Sequence, residues 1–306
     1  MPTGLAQIVG TAHPTRAGRV AVVTGVSSGM LPHVTLPLYS PARVKELLEH
    51  YGLRPTKSFG QNFLIDGNAL RFIVESSGAH SGSSVVEVGP GLGVLTTGLA
   101  QTGADVIALE KDKKLEAVLT ETLAGLDNVK LIFTDALEWD YSVLAPNSLL
   151  CANLPYYIST ALLTKFLESG RFSRLTVLVQ REVADRLESK PGDDGYGFLS
   201  ALIAFYGRAE RLRDVSKNAF YPAPDVTSSV VQIAVTPNAA PRPGTVKVLG
   251  AVLGHRRKTL RNNLKLAGYA DSLIQEALLH AHLEPGVRGE VVALEALVAL
   301  ADVLEP

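Results

Sequence analysis

From Ser84 onward the chain alternates short apolar runs with amphipathic stretches. The runs are Ser84-Val85-Val86-Glu87-Val88, Asp105 to Leu109, Val129 to Phe133, Leu149 to Ala152 and Leu175 to Val179. They are rich in β-branched residues and too short for buried helices, so each predicts a strand. Helical stretches follow to about Thr102, from about Lys113 to Leu123, and from Thr160 to Glu168. This βαβ alternation predicts an α/β fold, with a mostly parallel sheet covered by helices on both faces. Its ligand site is expected beyond the carboxyl ends of the strands. The residues closing the first four runs are Gly89, Glu110, Asp135 and Asn153.

The flanks are patterned differently. Ser40-Pro41-Ala42-Arg43 combines an N-cap with Pro at the first helical position, predicting a helix to about Tyr51. A polar-aromatic loop over Lys57 to Leu64 follows, then Asp66 as the cap of a helix over Ala69 to Ser76. Late in the chain, the apolar segments Leu199 to Tyr206 and Val226 to Ile233 read as strands or edge strands. A Pro-rich linker, Pro237 to Pro243, precedes several short helices from about Val246 to Leu304. The expected organisation is an N-terminal extension over 1–40, a sheet domain over 41–237 and a small helical C-terminal domain over 238–306.

Composition narrows the class. Of 306 residues, 46% are hydrophobic and 19% charged, which suits a chain with a sizeable core. No apolar run reaches the ~18 residues of a membrane span, so no membrane partner is expected. Cys151 is the single cysteine, which excludes an intrachain disulfide and a multi-cysteine zinc site and fits a cytoplasmic protein. The histidines have no metal spacing, and no metal is expected. Residues 1 to 40 hold no acidic residue, and their apolar run Val20 to Val23 soon breaks at Gly25. This predicts a disordered extension or an over-extended start rather than a targeting signal. The net charge of -1 argues mildly against nucleic-acid binding, so local patches must decide.

The strand ends carry the chemistry. Gly89-Pro90-Gly91-Leu92-Gly93 allows a tight turn and a close backbone approach to a ligand, though as a dinucleotide fingerprint it is weak. Glu110, about twenty residues on, stands where an acid binds ribose hydroxyls. Asp135 could reach an adenine amine. A solvated strand end is the ordinary fate of one such acid; acids in register at successive strand ends favour a nucleotide-sized ligand, NAD or S-adenosylmethionine. Asn153-Leu154-Pro155-Tyr156 discriminates between the two. An amide oxygen and a backbone carbonyl can accept both hydrogens of an exocyclic amine, and Tyr supplies a flat surface. That is an amine methyltransferase site; the alternative is a strand followed by a Pro-containing loop.

The chain from about Pro41 to Leu304 resembles the bacterial small-subunit ribosomal RNA adenine dimethyltransferases. The resemblance is carried in order by Phe59 to Leu64, Glu87 to Gly93, Asn153 to Tyr156, Val179 to Ala184, Tyr196-Gly197, Ala219 to Val226 and Arg256 to Asn262. It implies a Rossmann-like class I methyltransferase sheet and use of S-adenosylmethionine. It also implies dimethylation of the N6 amines of two adjacent adenosines near the 3′ end of 16S rRNA. The cofactor contacts implied are Asn62, Leu64, Gly89, Glu110, Asp135 and Asn153, with Gly91 in the same glycine loop. Asn153, Leu154, Pro155 and Tyr156 would grip the target base, with Phe220 as candidate for its opposite face; for a lone Phe, core packing is the alternative. The partner implied is 16S rRNA in the immature small subunit, met by a monomer. Tyr157 departs from the family, which often has Asn there, and Arg-Gly-Glu at 288 to 290 replaces a usual Arg-Ala-Glu.

For RNA contact the densest basic cluster is His255-Arg256-Arg257-Lys258 with Arg261 and Lys265. At helical spacing Arg257, Arg261 and Lys265 would share one face. Arg208, Arg211, Arg213 and Lys217 form a second basic stretch. Three rivals share features of this chain: a large-subunit rRNA methyltransferase of the antibiotic-resistance kind, a DNA adenine methyltransferase, and a non-catalytic ribosome-assembly factor. The long C-terminal match favours the small-subunit enzyme, and the intact Asn153 to Tyr156 argues against loss of catalysis.

Overall fold

Residues 20–21, 36–55, 60–237 and 240–306 are described by a computed structural model. In chain order the elements before the glycine loop are β1 (Val20–Ala21), α1 (Pro41–His50), β2 (Phe63–Leu64), α2 (Gly67–Ser77) and β3 (Ser84–Val88). Next come α3 (Val94–Ala100), β4 (Asp105–Glu110), α4 (Glu116–Thr122), β5 (Val129–Phe133), β6 (Ser148–Asn153), α5 (Ser159–Glu168) and β7 (Phe172–Gln180). The rest are α6 (Arg181–Glu188), α7 (Phe198–Tyr206), β8 (Gly207–Val215), β9 (Phe220–Tyr221), β10 (Ser228–Val235) and α8 (Pro243–Leu253). Three helices follow: α9 (Leu260–Leu266), α10 (Asp271–His280) and α11 (Leu294–Leu304).

The main sheet has the order β1-β5-β4-β3-β6-β7-β10-β8, and β2 pairs with β9 in a separate ribbon. Strands β3 to β7 run parallel, while β10 is antiparallel to both β7 and β8. The chain winds outward from β3 through β4 to β5, then returns to the other side of β3 with β6. The switch point therefore lies between β3 and β6, where Val85 faces both Val106 and Leu149 across the ladders. A crevice opens at such a point because the crossovers on either side diverge.

Side chains alternate across the sheet as the pleat requires. Val85, Val106 and Cys151 join Leu70 and Ile73 of α2 and Leu99 of α3 on one face. Val86, Leu150, Val177 and Ile233 meet Leu163 and Phe166 of α5 on the other. Ala108 and Leu131 pack under Leu47 of α1 and Leu119 of α4. The start of α2 is held as expected, with the Asp66 carboxylate accepting from the amides of Asn68 and Ala69 at 2.8 and 3.0 Å. This fixes the chain just after β2, beside the crevice.

Three expectations need correction. Leu199 to Tyr206 is a helix, not a strand. Leu199, Leu202, Ile203 and Tyr206 of α7 enter the core of the sheet, while Ala201 enters the core of the C-terminal helices. A helix buried from two sides is apolar all round, so it shows no polar stripe from which its period could be read. Second, α9 begins only at Leu260, because the Thr259 hydroxyl caps it by accepting from the Asn262 amide. Arg257 lies before the cap and shares no helical face with Arg261 and Lys265. Third, within the extension over 1–40, Val20–Ala21 pair antiparallel with Ile132 and Leu131 at the sheet edge. The other residues up to 35, and Lys57 to Phe59 of the polar-aromatic loop, lie outside the described residues.

A strand would place residues 202 and 204 on one face; in α7 they point apart, Leu202 buried and Ala204 exposed. Leu202→Ala is therefore expected to cost about 2–5 kcal/mol of stability. Ala204→Glu should change it by no more than about 0.5 kcal/mol. Urea unfolding midpoints of the two variants check this.

Candidate active site

The crevice at the carboxyl ends of β3 to β6 encloses about 700 Å³, part of it open to solvent. Its floor is the glycine loop after β3. Gly89 and Gly91 have φ of 72° and 61°, a region costly for residues with a Cβ. A Cβ added at Gly91 would press on the Phe63 ring at 3.1 Å, whereas at Gly89 nothing lies within 4 Å. The loop thus packs against β2 on one side and leaves the Gly89 backbone bare toward open space. A second hollow of about 470 Å³, also partly open to solvent, adjoins the first and shares Asn62, Phe63, Gly89, Gly91 and Asn153 with it.

Glu110, the last residue of β4, is buried with its carboxylate preset. Its Oε1 accepts from the amides of Lys111 and Asp112, both at 2.8 Å, and its Oε2 from the Gly91 amide at 3.3 Å. Burial nevertheless raises its pKa to about 7, the three amides offsetting only part of the desolvation. Asp135 sits beyond β5. Burial works against its ionisation, but the Lys111 ammonium at 2.7 Å and the Leu137 amide at 2.9 Å outweigh it and hold its carboxyl below the usual range. Lys111 is a lining residue that the sequence pattern missed; its signal was a cation next to the strand-ending Glu110.

Beneath this floor lies Glu87, fully buried on β3, with Oε2 lacking any hydrogen-bond partner. Burial lifts its pKa to about 8, with the neighbouring Thr96 hydroxyl offsetting part of the shift. At neutral pH this carboxyl is mainly protonated.

Asn153 ends β6 and lines both cavities. Its Nδ2 donates to the Asn62 carbonyl at 3.2 Å. A carbonyl only accepts, so this bond sets which end of the amide is the donor and leaves Oδ1 as the acceptor end. Asn62 is itself held by its Nδ2 donating to the Gly60 carbonyl at 3.0 Å. Leu154 is buried, and its amide donates to the Leu178 carbonyl at 3.1 Å, extending the β6–β7 ladder by one residue. Pro155 lines the crevice and leads into a single 3₁₀ turn, Tyr156–Ile158. Tyr156 is half-buried, its hydroxyl 2.7 Å from Ser228 Oγ. Tyr157 is 57% exposed at the rim.

The structure therefore gathers Asn62, Gly89, Gly91, Glu110, Asp135, Asn153 and Pro155 around one crevice, and Leu64 around the adjoining cavity. Leu154 and Tyr156 follow on the same loop but line neither cavity, and Phe220 is not brought to them. Phe220 is 2% exposed, pairs with Leu64 in the β2–β9 ribbon and packs in the core, so its ring offers no face to a base here. The basic cluster is also divided. Arg257 and Lys258 are exposed, Arg256 donates to the Asp194 carbonyl, and Arg261 and Lys265 both pair with Asp271. In the second basic stretch, Arg211 pairs with Asp185 and Glu188.

A family model described as ribosomal RNA adenine dimethylase matches residues 52–284. The ribosomal RNA small subunit methyltransferase A of Deinococcus radiodurans is 54% identical over 269 residues, covering 88% of this chain and 92% of its own. Its namesake in Moorella thermoacetica is 38% identical, covering 87% and 98%. Among solved structures, a dimethyladenosine transferase from Plasmodium falciparum superposes with a TM-score of 0.64 at 21% identity, covering 78% of this chain and 95% of that one. The 23S rRNA methyltransferase ErmE superposes at 0.57 and 24% identity, covering 80% and 100%. At those identities the structures speak for the fold.

Glu87 generates a pH dependence. Its folded pKa of about 8 lies above the ordinary 4.5, so the folded protein keeps a proton that the unfolded chain loses. The stability tied to that proton is whole at acid pH and is lost as pH rises toward about 8. Glu87→Gln is expected to flatten most of the fall in melting midpoint between about pH 5 and 8. Glu110 acts in the same direction and leaves a residual slope. Thermal melts of both proteins across that range check it.

Proposed function

Since the chain belongs to the ribosomal RNA adenine dimethylase family and is an rRNA adenine methyltransferase, we propose a specific reaction for it. It transfers methyl groups from S-adenosylmethionine to the N6 amines of two adjacent adenosines near the 3′ end of 16S rRNA. It does so as a cytoplasmic monomer acting on the immature small subunit. The observation that carries this reading is the Asn153 amide, anchored through Nδ2 on the Asn62 carbonyl with its acceptor end left for a ligand.

The residues present fit the cofactor. The bare Gly89 backbone lets an extended ligand pass close over the floor. The carboxylate of Glu110 suits the ribose hydroxyls, and Asp135 suits the adenine amine. Bound there, S-adenosylmethionine supplies an electrophilic methyl group on a sulfonium sulfur. The adenine amine is a poor nucleophile because its lone pair is delocalised into the ring. Asn153 Oδ1 and the Leu154 carbonyl would accept its hydrogens and favour a more tetrahedral nitrogen with an available lone pair; one hydrogen leaves as a proton with each transfer, so the second transfer uses only one acceptor. Orientation of this kind supplies up to ~7–11 kcal/mol in well-aligned systems. Tyr156 stacks on the extruded base, a contact worth roughly 1–3 kcal/mol.

Exposed Arg257 and Lys258 supply phosphate contacts in this reading, whereas Arg261 is committed to Asp271. The relatives aligned along most of the chain carry small-subunit names, which favours that target over a large-subunit one.

Asn153→Ala is expected to abolish transfer to unmethylated small subunits while the melting midpoint stays near that of the parent protein. Transfer at the parent rate would sink the mechanism. Primer extension over 16S rRNA from cells with and without the gene locates the modified adenosines; a stop in 23S rRNA instead would redirect the substrate. Arg257→Glu should weaken subunit binding and reduce the salt slope by about one, with a smaller effect from Arg261→Glu.

A further inference from the structure

Tyr156 is the ring assigned above to the target base, yet nothing in its own tripeptide turn holds the ring's far end. The hold comes from elsewhere in the chain. Ser228 Oγ lies 2.7 Å from the Tyr156 hydroxyl, at the far tip of the ring. Ser228 is 0% exposed and opens β10, where it is paired on both sides, with Gln180 of β7 and Val215 of β8. The next residue, Ser229, donates from Oγ to Asp214 Oδ1 at 2.6 Å, tying the same end of β10 to β8. Ser228 is therefore a fixed post in the sheet rather than a mobile surface hydroxyl. Burial pushes the Tyr156 phenol above its ordinary pKa, so it stays protonated and the bond joins two hydroxyls throughout the neutral range.

We propose that Ser228 is a positioning residue for methyl transfer, holding the Tyr156 ring by its hydroxyl so that the stacked adenine presents its amine to Asn153 and Leu154. A tyrosine ring has one end set by its backbone, and a tether on the hydroxyl holds the other end against the swing about χ1, so the ring's long axis is fixed. Without it the ring still stacks, but over a spread of tilts, and fewer encounters place the amine within reach of both acceptors. Small misplacements of this sort cost up to about 100-fold in rate. The inference rests on the reading of Tyr156 as the base-stacking residue.

The test uses the full chain with unmethylated small subunits and S-adenosylmethionine, read as single-turnover transfer rates. Tyr156→Phe and Ser228→Ala each break the bond from one side. Both are expected to slow transfer roughly tenfold, with cofactor affinity by calorimetry unchanged. The double variant should be no slower than either single one, and Ser228→Thr should recover most of the rate. A parent-like rate for Tyr156→Phe, or slowing by Ser228→Ala that multiplies fully onto that of Tyr156→Phe, overturns the proposal. If Ser228→Ala lowers the melting midpoint, Tyr156→Phe still decides, since it leaves β10 intact. Tyr156→Ala separates the layers: loss of activity there with full activity in Tyr156→Phe removes the tether but keeps the stacking role. Full activity in Tyr156→Ala removes the stacking role itself.

Discussion

A parallel sheet covered on both faces can show solvent only the ends of its strands. The site depends on that constraint. Val85, Val86, Leu150, Cys151 and Val177 are all buried, and Glu87 of β3 and Thr176 of β7 are buried with them. The polar groups that reach the crevice are those at the strand ends: the glycine loop, Glu110, Asp135 and Asn153. The switch between β3 and β6 then spreads two crossovers apart and makes room between those ends.

The same confinement puts carboxyls where water is scarce. Glu87 and Glu110 are held above the usual carboxylate range by burial, while Asp135 is held below it by Lys111. The three acids read alike in sequence but differ in what surrounds them. Glu110 has three backbone amides directed at it, a geometry that prepares its oxygens for hydroxyl partners. Glu87 has none of these and sits below the floor, where its neutral form is the one the fold favours. The difference separates an acid that lines the crevice from one enclosed in the fold.

The loop after β6 is held by segments far apart in the chain. Asn153 is held by Asn62, 91 residues earlier, and Tyr156 by Ser228, 72 residues later. The β2–β9 ribbon brings the first of these segments against the last, since Phe63 and Leu64 pair with Tyr221 and Phe220. Phe220 illustrates the consequence. Its place in the ribbon buries its ring, and a side chain adjacent in motif to the site becomes part of what supports it.

The strand runs, the helix start at Pro41, the Asp66 cap, and the strand-ending Gly89, Glu110, Asp135 and Asn153 were legible in the chain itself. They are written in local terms: an alternating apolar period, a capping residue, an abrupt change to polar chemistry. Whatever needed a partner distant in sequence was not legible. α7 read as a strand because both of its faces are buried, one by the sheet and one by the C-terminal helices. Arg257 read as part of a helix because its charge spacing fitted, while the Thr259 cap excluded it. Lys111 on Asp135, Asn62 on Asn153 and Ser228 on Tyr156 carry no joint signature in one sequence. Local pattern determined which residues end strands and what chemistry they bring. Only tertiary structure decided which way an amide points, which acid is neutral and which ring is held, because each depends on atoms that meet across the fold.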